Sequence, residues 1–291
     1  MRKSILLLVA TMMVSYSCYA QAYNLTDTEL KQHLNFTITS NPESTHYIRP
    51  LVINAKNISG MKIVVTIDNG LIFVPEDKDF QPFVITRQEV ITLNPGQQVM
   101  RELYGMCTNS SLSNPYDEFT YVAGEKADSS LVGLTRWIEK DSLYNAEAQY
   151  AVWALTCNRR LEDIVGFDTL LVNDFIHYLA DVTKQETPPP RDPNDYRRNY
   201  YYTNYKRTMS GEFNCSYPDT RAVSIAMFNK DNVIVRELYN NPLMPPGNHK
   251  LSFEFDASVY DDDYYFIRVI ENGSISIDLK LETLKQPGGQ G

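Results

Sequence analysis

Two short stretches hold the side chains most able to do covalent chemistry. QQVMRELYGMC, residues 97–107, ends on Cys107, and AEAQYAVWALTC, residues 146–157, holds Gln149, Trp153 and Cys157. In an oxidising compartment Cys107 and Cys157 could join as a disulfide that pins a helix to a sheet. Gln149 and Trp153 stand four residues apart, on one face of a helix, so the indole can cover the carboxamide. At ~1.5 Å of rise per residue Gln149 lies roughly 12 Å along the axis from Cys157, so Cys107 can serve one of them and not both. A third reading leaves Cys107 a buried thiol, Trp153 a core residue and Gln149 at the surface.

Other chemistry has little to stand on. The histidines are His33, His46, His177 and His249, and the chain has no HExxH pair, paired-cysteine zinc spacing, GxSxG elbow or phosphate-cradling glycine loop. No metal and no cofactor is expected, and the protein reads as non-enzymatic. The acidic runs EDKD (76–79) and DDD (261–263) lack the spaced pattern of a calcium loop and read as solvated turns.

The elements that must position these residues follow a leader. Met-Arg-Lys and the apolar run SILLLVATMMV have the regions of a secretory signal peptide over residues 1–20, with cleavage after Ala20 and Cys18 a poor lipid-attachment site. No later run is long enough for a transmembrane helix. When Arg2 and Lys3 leave with the leader, the formal charge of −9 becomes −11, which disfavours a nucleic-acid partner. Cys107, Cys157 and Cys215 remain, so an all-disulfide account leaves one thiol over.

Residues 21–185 read as an α+β head. PLVINAKN, MKIVVTIDNG, LIFVPE, PFVITRQEVITLNPG and QQVMRELYGMC are β-branched runs broken by turn residues, the pattern of an antiparallel sandwich. Three helical periodicities follow, through Leu131, Leu134 and Ile138, then Ala148, Ala151, Val152 and Leu155, then Leu171, Phe175 and Leu179. Asp128 or Ser129, and Asn145, are candidate N-caps. Residues 186–207, rich in proline and tyrosine, read as a linker. Residues 208–285 are strand after strand, with turns at 230–232, 245–248, 261–263 and Asn272-Gly273, about enough for an Ig-like β-sandwich, and 286–291 read as a flexible tail. RELY at 101–104 and at 236–239 finishes a strand each time. The expected class is mainly β: a sandwich with about three helices, then a second sandwich.

Two resemblances bear on function. In residues 212–285, the order VRELY, PPG, FEFDAS, YYFIRVIENG resembles the Ig-like modules of proteins exported by the type IX route in Bacteroidota and of flagellar hook-capping proteins. This implies export and a place outside the cell or in the periplasm. Ala148-Gln149 with Val152-Trp153 resembles the ΦQxxΦW motif of thioester domains, the host-binding heads of surface adhesins, and Cys107 at a strand end resembles their cysteine. That resemblance implies a covalent adhesin in which Cys107 supplies sulfur, Gln149 the acyl group, Trp153 the shield, and a lowered thiol pKa the attacking thiolate. Thr108 and Asn109 stand where the family usually has an acidic residue. The expected function is that of a secreted or surface-associated bacterial adhesion protein. Its partner would be an extracellular protein or a glycan surface, and a carbohydrate-binding or structural envelope component is a further alternative.

Overall fold

The computed structural model describes residues 20–166, 168–190, 208–257, 260 and 262–282. The expected signal peptide with Cys18, most of the 186–207 linker and the 286–291 tail lie outside these residues. The chain is mainly β with three α-helices among the described residues.

The first part contains ten strands. In chain order they are β1 (Gln21–Asn24), β2 (Leu34–Ser40), β3 (Leu51–Asn57), β4 (Ile63–Ile67), β5 (Leu71–Pro75), β6 (Phe83–Ile85), β7 (Glu89–Leu93), β8 (Gln98–Leu103), β9 (Gly105–Cys107) and β10 (Thr120–Lys126). They form a three-stranded sheet, β1-β4-β7, and a seven-stranded one, β8-β3-β2-β10-β5-β6-β9. Alternation makes them strands: Leu51, Ile53, Ala55 and Asn57 of β3 are buried while Asn54 and Lys56 between them face out. Burial of a side chain the size of Leu51 or Ile53 contributes about 1.5–3 kcal/mol. One pairing departs from the expected antiparallel sandwich. β1 runs parallel to β4, from Gln21 opposite Ile63 to Asn24 opposite Thr66, because the chain crosses to the other sheet between them.

Helices α1 (Ser129–Asp141), α2 (Ala146–Thr156) and α3 (Thr169–Thr183) follow. Asp128 caps α1 by accepting from the Ser130 and Leu131 N–H groups, and Asn145 caps α2 by accepting from the Ala148 N–H at 3.0 Å. Asp168 caps α3 in the same way. Helix α2 differs from its neighbours because every residue from Ala146 to Ala154 is buried, Glu147 and Gln149 included. A helix enclosed on all sides needs small residues where backbones approach, and four alanines supply them.

The remaining strands are β11 (Thr208–Tyr217), β12 (Arg221–Phe228), β13 (Ile234–Met244), β14 (Gly247–Asp256), β15 (Tyr264–Glu271) and β16 (Ser274–Glu282). A β11-β14 ribbon faces a β13-β12-β15-β16 sheet across Val223, Ile225, Met227, Phe253 and Ile267. The second RELY lies inside β13 rather than at a strand end. Asn272 and Gly273 have φ of 49° and 88°, the two left-handed residues of a tight hairpin.

The two parts share apolar contact. Ala226, Phe228, Val233, Ile234 and Ile270 belong to the same buried cluster as the head. Ser44 pairs with Ser274, the Ser44 hydroxyl donates to Gly273 O at 2.7 Å, and the Ile275 N–H donates to Glu43 O at 3.0 Å.

Candidate functional site

Strand β9 pairs with β6, placing Cys107 opposite Phe83, and the strand end abuts α2. Cys107 and Gln149 therefore meet, although 42 residues separate them. The Gln149 carboxamide grips the Cys107 main chain from both sides: the Cys107 N–H donates to Gln149 Oε1 at 3.0 Å, and Gln149 Nε2 donates to Cys107 O at 2.8 Å. This donor–acceptor pattern fixes which end of the carboxamide is nitrogen. The Cys107 N–H also reaches His46 O at 3.0 Å.

The sulfur is held as well. Trp153 Nε1–H donates to Cys107 Sγ at 3.2 Å and the Asn109 N–H donates to it at 3.3 Å. Trp153, expected to shield by packing, thus also donates a hydrogen bond to the thiol. Its ring is sandwiched: His46 stacks on it at 5.7 Å, Tyr150 meets it edge-on at 5.4 Å, and the Arg159 guanidinium lies 5.4 Å from its centroid. Cys107 and Gln149 have 0 % exposure and Trp153 has 1 %. Gln149 is therefore not a surface residue, because α2 is enclosed on all faces.

The electrostatics correct one expectation. Burial pushes the Cys107 thiol well above its usual range, and the Trp153 and Asn109 donors offset that only in part. The resting thiol is protonated. Burial, followed by the Arg268 guanidinium, pulls His46 down to about 3, so its imidazole is neutral at physiological pH.

The disulfide alternative is not formed: Cys107, Cys157 and Cys215 are free thiols. The Cys107 sulfur is turned towards Trp153. Cys157 Sγ instead lies 3.6 Å from Thr108 O and 3.6 Å from the Ser110 hydroxyl. The EDKD run is an exposed turn in which Asp77 accepts from the Asp79 N–H. Among the described residues no group of three or more His, Cys, Asp or Glu side chains could hold a metal ion, and no helix is long and apolar enough to cross a membrane.

Sequence reasoning reached Cys107, Gln149 and Trp153 but missed His46 and Asn109. His46 lies in the irregular STHYIRP segment, where no periodicity marks a residue as buried, and Asn109 contributes through its main chain, which no residue type signals. No protein-family model and no curated protein matches the chain.

Proposed function

We propose that this chain is a secreted or surface-associated adhesion protein that captures its partner covalently, through an internal thioester between Cys107 and Gln149. The observation that carries the reading is the closed pair of hydrogen bonds between the Gln149 carboxamide and the Cys107 main chain, beside a sulfur held by Trp153. Proximity of this kind turns an intermolecular step into an intramolecular one.

In the first step Sγ adds to Gln149 Cδ. The Sγ–H and Cδ–Nε2 bonds break, an Sγ–Cδ bond forms, the thiol proton leaves on nitrogen, and ammonia departs. The Cys107 N–H faces Oε1, where negative charge develops as sulfur adds. Thiol and amide give thioester and ammonia, all neutral, so the raised thiol pKa is compatible with the step: no thiolate has to persist in the core.

Loss of Nε2 leaves Cys107 O without the donor it had at 2.8 Å. An incoming primary amine takes that position and donates to the same carbonyl. Its nitrogen adds to Cδ, the Cδ–Sγ bond breaks, one amine proton passes to sulfur, and an amide to the partner remains beside a free thiol. Full burial of both residues protects the bond from water, and Trp153 and His46 must shift to admit the amine.

The test is mass spectrometry of the exported protein without reductant, mapping the peptides of Cys107, Gln149 and Cys157 before and after methylamine. Expected is loss of one ammonia at a Cys107–Gln149 cross-link, reversed by methylamine addition at Gln149, with Cys107→Ala folded but unable to capture amines. Two free thiols and an intact glutamine amide would leave an ordinary non-covalent surface module.

A further inference from the structure

A second site lies where the head meets the C-terminal strands. A cleft of about 1020 Å³ runs between them, with the α1–α2 connection and the start of α3 on one side and β12, β13 and the Asn272-Gly273 turn on the other. Its lining holds four acidic side chains, Asp141, Glu147, Asp168 and Glu237, and no lysine, arginine or histidine. Arg49 stands at the rim, where it donates to Asn272 O and pairs with Glu102, while Arg87 pairs with Glu89, and both stand over the Tyr104 ring.

The acids differ in how far their own fold uses them. Asp168 caps α3 and Asp141 accepts from the Trp137 indole N–H at 2.8 Å. Glu147 accepts the Asp168 N–H at 3.2 Å and reaches it only because residue 166 is glycine: a Cβ there would fall 2.1 Å from Glu147 Cγ. Glu237 stands on β13. It is 96 % buried (4 % exposed) and one oxygen accepts from Asn240 Nδ2 at 3.1 Å, while Oε2 has no hydrogen-bond partner. Glu147 on α2 and Glu237 on β13 come from elements in contact and line the same cleft as the buried Tyr47 ring. Two buried carboxyl groups lining one cleft are stabilised by a proton or a cation.

We propose that this cleft binds an organic ammonium group on an alkyl stem, the chemistry of a lysine side chain or a diamine, with the ammonium between Glu237 and Glu147. An alkylammonium matches the features on the page. Its N–H donors meet Glu237 Oε2, its charge balances the acidic wall, and its methylenes lie along Tyr47, Leu143 and Ile270. A resident metal fits less well, because the carboxylates do not gather into a ligand set among the described residues. The site is separate from the Cys107–Gln149 pair and does not require the thioester.

The experiment is calorimetric titration of the full chain with cadaverine and with Nα-acetyl-lysine methylamide, in two buffers of different ionisation enthalpy. Expected is saturable, reversible binding that is weakened at least tenfold in Glu237→Gln. The heat should differ between the buffers, because the ammonium displaces a proton from the carboxyl pair. The tighter of the two probes tells whether the source is a free diamine or a lysine in a polypeptide. The recovered mass separates reversible occupancy from covalent addition at Gln149, so failure here and failure of the thioester are distinguishable. If Glu237→Gln does not fold, Asn240→Ala, which unpins the same carboxyl, must also change the affinity. No saturable binding, or equal affinity in a folded Glu237→Gln variant, overturns the proposal.

Discussion

Trp153 does two separable things: it fills the space against His46 and Tyr150, and it donates one N–H to Cys107 Sγ. Trp153→Phe keeps much of the first role and removes the second. The expected outcome is a loss of about 1 kcal/mol in unfolding free energy, from the missing hydrogen bond and the smaller ring. A lower fraction of chains carrying the cross-link should accompany it. Chemical denaturation and peptide mapping read the two effects independently. An unchanged cross-link fraction would assign Trp153 to packing alone. Asn109 offers no such substitution, since its donor is a main-chain N–H.

At the scale of the element, α2 positions the candidate site, and its register depends on the Asn145 cap. Asn145→Ala removes the acceptor of the Ala148 N–H and should cost about 1 kcal/mol. Fraying of the first turn lies next to Gln149, so hydrogen exchange should rise at Ala148 and Gln149 before it rises at the far end of the helix. The periodicities of all three helices and the caps of the first two were legible, because capping and spacing are local properties of a chain, while the Asp168 cap of α3 was missed. So was the approach of Cys107 to Gln149, through a motif carried on a helix and a strand end. The enclosure of α2 was not: AEAQYAVWALT contains Glu147 and Gln149, whose polarity suggests a solvent face, whereas inside the fold Glu147 accepts the Asp168 N–H and Gln149 pairs with the Cys107 main chain. The parallel β1–β4 pair was also hidden, since it joins segments whose alternation says nothing about direction.

At the scale of the whole molecule, the contact between the two parts carries opposed titrations. Burial, and then the neighbouring Glu147, raise Glu237 well above the usual 4.5. The folded state therefore holds this proton where the unfolded chain has lost it. The stability so gained is full below 4.5 and is lost as pH climbs through the raised value. Glu237→Gln should remove that loss, so the unfolding midpoint of the variant should gain on the parent as pH rises above 4.5, measured without amines. An equal slope in both proteins would show that Glu237 is already paired. His46 acts in the other direction: held down to about 3, it costs stability as pH falls below the usual 6.5.

The hairpin tip at Asn272-Gly273 and the strand after it are hydrogen-bonded to residues 43–44, and two residues further along the same segment the His46 ring lies on Trp153. Gly273 fits there only without a side chain, since a Cβ would come within 2.8 Å of Arg49 Nη2 and Ile48 Cγ2. A molecule tethered through its C-terminal strands and held by a partner at its head would carry tension across this joint. The segment covering the Cys107–Gln149 pair is then among the first to feel a mechanical load, and shear at the hairpin becomes a means of uncovering it.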